Sequence, residues 1–192
     1  MAPLFRCRDK VMDTQTLRDA MPDRIRAERL VLRAPGRADI PAIAALANNA
    51  KIHAMTTLPY PYDQKDAQAF VESFARSETE HAYAIVLPGD ALIGMVGLHL
   101  YPDADPEIGY WLGEPYWGRG YGTEAVGALI EAARATGHCA MLRAKARSEN
   151  AASRAILEKL DFRIVGEAVS GCGSHKDVPV ATYELPLRVG PA

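Results

Sequence analysis

Three glycines within five residues mark the stretch of this chain where a phosphate group is expected to bind. Gly118, Gly120 and Gly122 lie in EPYWGRGYGTEA, residues 114–125, just before a segment with helical periodicity. Glycine costs about 0.5–1 kcal/mol relative to alanine in regular structure, so this density indicates backbone that another group approaches closely. Loop amides and a helix N-terminus both present partial positive charge. The stretch therefore predicts a phosphate or pyrophosphate site.

Two kinds of phosphate ligand are compatible with these glycines. Gly120, Gly122 and Ala125 satisfy G-x-G-x-x-A, the dinucleotide-binding fingerprint, and Glu149 could supply the acidic residue of that pattern. That fingerprint normally lies in the first strand-helix-strand unit of a parallel sheet, whereas here most predicted strands precede it. A pyrophosphate-containing coenzyme bound by a different fold is the favoured alternative.

Alternating strands and helices must position this loop. Four helices are predicted from apolar side chains at helical spacing: one capped by Asp39, one capped by Asp63 with Phe74 on its inner face, one that ends at Gly137, and one capped by Asn150 at residues 150–160. The predicted strands are residues 29–34, 82–87, 91–101, 106–112, 141–149, 162–169 and 181–187. The second and third of these are expected to form an antiparallel hairpin. A strand, a helix and a strand around the glycines imply one parallel pair. We expect an α/β fold with a mixed sheet.

Gly109 interrupts the strand at residues 106–112 and is the second glycine position of interest. Glycine inside a strand weakens pairing and commonly marks either a β-bulge or the close approach of another group. The sequence predicts one of these two features beside Gly109.

Composition limits the range of partners and compartments. The chain has 192 residues and a net charge of -2, which gives no electrostatic case for nucleic acid or an acidic membrane. Cys7, Cys139 and Cys172 are scattered, and Cys172 with His175 makes at most half a metal site, so we expect no metal and a cytoplasmic location. Residues 1–25 are polar and aperiodic, and we expect a loosely ordered extension before a single domain at residues 26–192.

Several motifs together resemble the GNAT superfamily of acetyl-CoA-dependent N-acetyltransferases. They are EIGYWLGEPYWGRGYGTEAVGALIEAA, ARSENAASRAILEKLDF, ERLVLRAPGRADIPAI, LPYPY and DVPVATYEL. The chain is similar in particular to the ribosomal-protein N-terminal acetyltransferase branch, over roughly residues 26–187. The resemblance implies a central, mostly antiparallel sheet that splays at a bulged strand, with about four helices. It also implies that Gly109 belongs to that bulge.

The resemblance implies which residues bind acetyl-CoA. The family pattern Arg/Gln-x-x-Gly-x-Gly/Ala maps onto residues 117–122, with Trp117 in place of the usual polar residue. The coenzyme-binding residues so implied are Trp117, Gly118, Arg119, Gly120, Tyr121, Gly122 and Thr123 for the pyrophosphate, Trp111, Leu112 and Gly113 for pantetheine, and Asn150. Backbone amides should still bind the pyrophosphate although Trp117 cannot make the family's polar contact.

Acetyl transfer requires a neutral amine, an oxyanion donor and a proton for the departing thiolate. Glu107 resembles the position from which many relatives accept the amine proton through water, although a solvated carboxylate would look the same. The tyrosine that many relatives use for the thiolate is replaced by Leu157. Ser153 resembles the serine that contacts the coenzyme sulfur in the ribosomal-protein branch, and we assign it that proton transfer.

The amine acceptor is constrained only by class. His53, Tyr60 and Tyr62 lie in the connection that covers the acceptor side in this family, although a proline-rich turn packed by its own aromatic side chains would have the same composition. We expect a monomeric or homodimeric enzyme that acetylates a primary amine, either a protein N-terminus or a small molecule. A non-catalytic module that binds acetyl-CoA as a sensor or scaffold is the alternative, because the family tyrosine is missing.

Overall fold

The computed structural model describes residues 14–170 and 178–187. Eight strands of this part of the chain form one sheet in the order β1-β2-β3-β4-β5-β6-β8-β7. Their bounds are β1 Arg24–Arg26, β2 Val31–Arg33, β3 Glu80–Leu87, β4 Ala91–His99, β5 Glu107–Leu112, β6 Met141–Arg147, β7 Arg163–Ser170 and β8 Val178–Pro186. Only the β5–β6 pair among these is parallel. The expected mixed, mostly antiparallel sheet is confirmed.

Six α-helices of the described residues pack on this sheet. They are α1 Thr14–Ala20, α2 Ile40–Ala47, α3 Ala50–Met55, α4 Gln64–Ala69, α5 Tyr121–Ala135 and α6 Ala151–Lys159. The sequence predicted four of them and missed α1 and α3, because six or seven residues are too few to show a periodic apolar stripe. Asn49 caps α3 by accepting from the Lys51 amide at 2.8 Å.

Each face of the sheet carries its own apolar core. Helices α2 and α4 pack on the first face, around Ile43, Ala47, Tyr62, Ala84 and Met95. Helices α1, α5 and α6 pack on the opposite face, around a cluster that includes Leu17, Leu98, Leu129, Leu157 and Tyr183. We call these the α2–α4 face and the α5–α6 face. Because successive strand residues point to opposite faces, neighbours in β5 contribute to different sides of the sheet.

Two local expectations on the α2–α4 side need correction. Asp39 directly precedes α2, but its carboxylate does not cap that helix; it accepts from the Gly36 amide at 2.7 Å and pairs with Arg33 at 2.7 Å. Phe74 was expected to face inward, yet it is 58% exposed. A π-helical turn at Phe70–Phe74 follows α4, and its wider winding rotates Phe74 away from the core.

The segment before the expected domain start packs against the sheet where the structure describes it. Residues 1–13 lie outside the described range, but Leu17 of α1 is fully buried and Met21 is 5% exposed, both within the main core. Ile25 of β1 pairs with Leu32 of β2. Residues 14–25 therefore differ from the loose extension that their polarity suggested, because a few apolar side chains suffice to anchor short elements.

Strands β5 and β6 separate after a short parallel contact. In the described pairing, only Glu107 and Ile108 of β5 face β6 partners, which are Arg143 and Ala144. We call the opening beyond Ile108 the splay. On its other edge β5 pairs with β4 in continuous register through Gly109, so no bulge interrupts that ladder. One parallel pair within an antiparallel sheet excludes the doubly wound sheet that the dinucleotide fingerprint requires.

Candidate active site

The glycine loop, residues 117–123, adopts a backbone that only glycine enters readily. Gly118 and Gly120 have φ values of 71° and 79°, in the left-handed region. Gly120 is the residue before α5, so the first amides of this 15-residue helix point out of its N-terminus without intrahelical acceptors. Tyr121, Gly122 and Thr123 supply these amides. The loop therefore has the geometry of an anion cradle.

Arg29 holds the glycine loop from the β1–β2 side. Its guanidinium pairs with Glu124 at 2.7 Å, donates to the Arg119 carbonyl at 3.1 Å and lies 4.8 Å from the centre of the Tyr121 ring. Sequence reasoning missed Arg29, which lies 95 residues before Glu124. This ion pair neutralises Glu124, whose carboxylate would otherwise repel a phosphate at the first turn of α5.

Backbone groups of β5 line the splay. The Trp111 carbonyl points toward Gly94 of β4, and the Gly113 amide donates to Ile93 of β4 at 2.9 Å. Because alternate residues direct their backbone groups to the same neighbour, Tyr110 and Leu112 direct theirs into the splay. Of the residues expected to pair with pantetheine, Leu112 is thus oriented for pairing, whereas Trp111 and Gly113 bond to β4.

Trp117 occupies one of these backbone groups. Its indole Nε1 donates to the Leu112 carbonyl at 2.7 Å, and the side chain is 43% exposed. The departure from the family's Arg or Gln at this position thus connects the glycine loop to the end of β5. The Leu112 amide and both Tyr110 backbone groups still face the splay.

Ser153 and Tyr110 meet on the α5–α6 side of the splay. The Tyr110 hydroxyl lies 2.8 Å from Ser153 Oγ, and the Asn150 side chain caps α6 by accepting from the Ser153 amide at 3.0 Å. Burial raises the pKa of Tyr110 to about 12, against the effect of the Ser153 hydrogen bond. Tyr110 therefore remains protonated at neutral pH. The Leu157 side chain is fully buried in the core and offers no hydroxyl.

Helix α6 approaches the glycine loop because Gly122 has no side chain. A Cβ at Gly122 would lie 2.8 Å from the Ile156 Cδ1 atom. Ser153 lies one turn before Ile156 on α6, so this contact brings the Ser153–Tyr110 pair close to the start of α5.

Glu107 lies at the start of β5, where the two strands are still paired. Its carboxylate is 2.7 Å from Lys145 Nζ, and the side chain is 17% exposed. The other basic side chains of β6 are paired similarly, Arg143 with Glu184 at 3.0 Å and Arg147 with Glu149 at 2.6 Å. The basic row of β6 thus consists of ion pairs.

A carboxylate and an imidazole lie over two facing glycines on the α2–α4 face. Gly97 of β4 pairs with Gly109 of β5. A Cβ at Gly97 would lie 2.9 Å from Glu80 Oε1, and one at Gly109 would lie 2.6 Å from His99 Nε2. His99 Nδ1 in turn contacts the Glu80 carboxylate. The group that approaches Gly109 closely is thus His99, which the sequence did not reveal because its partners are distant along the chain.

Helix α3 covers the mouth of the splay. Asn49 donates to Glu114 at 2.8 Å beyond the end of β5, and the Arg147 guanidinium at the end of β6 donates to the Ala54 carbonyl. His53 on α3 has its Nδ1 2.6 Å from the Leu58 carbonyl, and its ring centre is 5.8 Å from that of Tyr60. Tyr60 is 52% exposed and His53 is partly buried, so neither ring belongs to the buried core.

Tyr62 belongs to the core rather than to an open pocket. Its side chain is 5% exposed within the α2–α4 face, and burial raises the pKa of its hydroxyl to about 12. The structure therefore separates Tyr62 from His53 and Tyr60, with which the sequence grouped it.

The described residues contain neither a metal-binding cluster nor a membrane-spanning helix. No cluster of three or more His, Cys, Asp or Glu side chains there could hold a metal ion, and Cys172 and His175 lie outside the described range. No helix in residues 14–170 and 178–187 is long and apolar enough to cross a membrane.

Cys139 is buried, which raises the pKa of its thiol to about 11.

Comparison with known proteins agrees with this geometry. The profile of the family described as acetyltransferase (GNAT) domain matches residues 29–163. The L-methionine sulfoximine/L-methionine sulfone acetyltransferase of Pseudomonas aeruginosa is 33% identical over 147 residues, which are 71% of this chain and 81% of that protein.

Solved structures show the same fold at lower identity. RimL, a ribosomal L7/L12 alpha-N-protein acetyltransferase solved with coenzyme A, superposes with a TM-score of 0.76 at 22% identity, covering 86% of this chain and 99% of RimL. Mycobacterium smegmatis RimJ, in complex with CoA-disulfide, gives a TM-score of 0.77 at 17% identity, covering 89% and 90% of the two chains. The profile match spans most of the chain, and the chain therefore belongs to the GNAT family of acetyltransferases.

Proposed function

We propose that this protein transfers the acetyl group of acetyl-CoA to a primary amine, which attacks the thioester directly. The observation that carries the proposal is the order of the groups along β5: Trp117 of the glycine loop bonds to Leu112, β5 has no β6 partner beyond Ile108, and the Tyr110 hydroxyl contacts Ser153. A phosphate site, an edge of free backbone groups and a proton donor thus follow one another in the order that an extended acyl-coenzyme requires.

The glycine loop is the proposed pyrophosphate site. Amides of Gly118 to Thr123 would bind the phosphate oxygens, and the N-terminal dipole of α5 favours their negative charge. The exposed Arg119 side chain adds a positive charge at the rim. Pantetheine would then pair with the Leu112 amide and the Tyr110 backbone inside the splay.

Acyl transfer chemistry fits the residues at the closed end of the splay. Beyond the last β6 pair, Tyr110 carries the first β5 amide that faces the splay, so it is the proposed donor to the oxyanion. Ser153 would deliver a proton to the departing thiolate, and the Tyr110 hydroxyl can replenish Ser153 at 2.8 Å. Glu107 stays a predicted proton acceptor, although its ion pair with Lys145 must loosen for that role.

An α-amine is the favoured acceptor. α-Amino groups have a pKa of about 7.8 and lysine side chains about 10.4, so far more of an α-amine is neutral near pH 7. The names of two relatives support this choice: the Pseudomonas enzyme is named for amino-acid analogues, and RimL is named for a protein N-terminus. The higher sequence identity lies with the former, which supports testing L-methionine sulfone first.

The test combines coenzyme binding with an acceptor screen. Calorimetry should show binding of acetyl-CoA and CoA but not of NADP. Thiol release and mass spectrometry should then show N-acetyl product with L-methionine sulfone, L-methionine sulfoximine or a peptide with a free N-terminus. Tight coenzyme binding without product from any of these amines would favour the sensor or scaffold alternative, and binding of NADP alone would refute the proposal.

A further inference from the structure

The α2–α4 face of the splay contains a carboxylate–imidazole pair, Glu80 and His99, that lies outside the residues of the proposed acetyl transfer. Glu80 comes from β3 and His99 from β4, where the two residues are direct partners in the ladder. They lie on the Gly97–Gly109 pair, where any larger side chain would collide with them. Two glycines in register, each covered by a polar group from another residue, form a built site rather than a chance surface contact.

The position of His99 relative to the splay suggests its use. Its Nε2 atom lies over Gly109, and Gly109 directly follows Ile108, the last β5 residue paired with β6. The thioester is proposed to reach this closed end, with Tyr110 and Ser153 on the opposite face. An amine that approaches from the α2–α4 side would therefore meet His99 first.

We propose that His99, positioned by Glu80, is the base that takes the proton from the attacking amine. This inference rests on the acetyl transfer proposed above and names a residue for one of its steps. The side chain of His99 is 43% exposed and that of Glu80 is 15% exposed, so the imidazole is open to a substrate while its carboxylate partner is mostly enclosed.

The hydrogen bonds select the required tautomer. With its proton on Nδ1, His99 donates to the Glu80 carboxylate, and Nε2 keeps a lone pair above Gly109. The amine nitrogen forms the new C–N bond with the acetyl carbon, and its surplus proton passes to Nε2. The C–S bond then breaks with its electron pair on sulfur, the thiolate takes a proton from Ser153, and Ser153 regains one from Tyr110, which solvent reprotonates when His99 releases its own proton. Glu80 stabilises the resulting imidazolium.

Glu107 is less available for the same step. Its carboxylate is already paired with Lys145 Nζ at 2.7 Å, and both belong to the paired part of β5 and β6. A base that must accept a proton is weakened by an adjacent ammonium group. His99 has the opposite arrangement, because its neighbour is an anion.

Charged groups from three strands set the ionisation of His99. The hydrogen bond to Glu80 is the largest effect, and it raises the pKa of His99. The negative charge of Glu107 raises this pKa further, whereas burial and the positive charge of Lys145 lower it. Tyr101, which is 43% exposed, lies in the same electrostatic environment, where burial raises its pKa. A base whose pKa lies above the ordinary histidine value of about 6.5 is close to the optimum for proton transfer near neutral pH.

Kinetics of His99→Gln and Glu80→Gln against pH test the assignment, with L-methionine sulfone and the N-terminal peptide as acceptors. His99→Gln should lower kcat by about 100-fold and remove the ascending limb of the pH profile, because general bases contribute roughly 10²–10⁴-fold. Glu80→Gln should shift that limb to lower pH. His138→Gln, which changes an exposed histidine after α5, is the matched control and should keep the wild-type profile.

Gly109→Ala provides a second test in which both side chains remain. The added methyl group would lie 2.6 Å from Nε2 and displace the imidazole, so kcat should fall at least tenfold while acetyl-CoA affinity is retained. Gly166→Ala on β7 is its control, because nothing lies within 4 Å of the added Cβ. An NMR titration of the His99 ring should show a lower pKa in Glu80→Gln, independently of turnover.

The outcomes separate this inference from the proposed function. A wild-type protein that acetylates an amine, together with a His99→Gln variant whose kcat and pH profile are unchanged, would overturn the role of His99 alone. If the wild-type protein acetylates none of the amines, the proposed function and the base fall together. A His99→Gln variant that loses the ascending limb but binds acetyl-CoA normally would establish the role.

Discussion

At the residue scale, the proton-transfer candidates lie on opposite faces of β5. Gly109 leaves room for His99 on the α2–α4 face, and the next residue, Tyr110, reaches Ser153 on the α5–α6 face. Strand alternation produces this division, because neighbouring residues point to opposite sides. In the proposed reaction, a proton is therefore removed on one side of the thioester and delivered on the other.

The Tyr110–Ser153 pair predicts coupled losses of activity. Tyr110→Phe removes a hydroxyl 2.8 Å from Ser153 Oγ, so kcat should fall about tenfold, equivalent to a hydrogen bond of roughly 1.4 kcal/mol. Ser153→Ala should cause a similar or larger loss, and the double variant should lose little more than Ser153→Ala. Steady-state thiol release measures all three. Fully additive losses would show that the two hydroxyls act independently.

At the element scale, the start of α5, the proposed phosphate site, is held in place by other elements. The β1–β2 segment supplies Arg29 to the loop, Trp117 fastens the loop to the end of β5, and the missing side chain of Gly122 admits α6. Helix α3 contacts both arms of the splay through Asn49 and Ala54. The acceptor side therefore depends on a helix of only six residues.

Arg29→Ala should weaken coenzyme binding. The change leaves the Glu124 carboxylate unpaired in the first turn of α5 and releases the Arg119 carbonyl, so the Kd for acetyl-CoA should rise about fivefold, consistent with roughly 1 kcal/mol for a charge at a helix end. Calorimetry at low salt measures it. Glu124→Gln in the same variant should restore part of the affinity, whereas Arg24→Ala on β1 should have no effect.

At the scale of the whole molecule, α1 is attached to β3 through a buried polar group. His81 is 5% exposed; it accepts from Arg76 and lies 3.0 Å from the Tyr83 hydroxyl, which donates to the Pro22 carbonyl at 2.6 Å. Burial lowers the pKa of His81 to about 4, with a further contribution from Arg76. Folding thus requires a neutral imidazole at this junction.

His81 should make stability depend on acidity. Its folded-state pKa of about 4 lies below the ordinary 6.5, so the unfolded chain binds more protons between these values. The free energy of unfolding should therefore fall as the pH is lowered from about 6.5 to about 4, by up to roughly 3 kcal/mol at 1.36 kcal/mol per pKa unit. Urea unfolding at several pH values measures this. His81→Gln should flatten the dependence, and an unchanged slope would contradict it.

Sequence reasoning was most effective where a property is local. The glycines before α5, the Asp63 cap, the β3–β4 hairpin and the Asn150 cap follow from neighbouring residues and are all confirmed. Family motifs also identified the fold. The sequence could not separate the two interpretations of Gly109, because a β-bulge and the close approach of another group both favour glycine within a strand.

The sequence by itself determined the order of most strands and helices, the glycine-rich backbone before α5 and the acetyltransferase family, since each depends on residues close together in the chain. The tertiary structure decided which distant side chains meet: Arg29 with Glu124, Tyr110 with Ser153, and Glu80 with His99 above Gly109. These pairs lie 95, 43 and 19 residues apart. Their contacts depend on strand order and register, which local patterns do not specify.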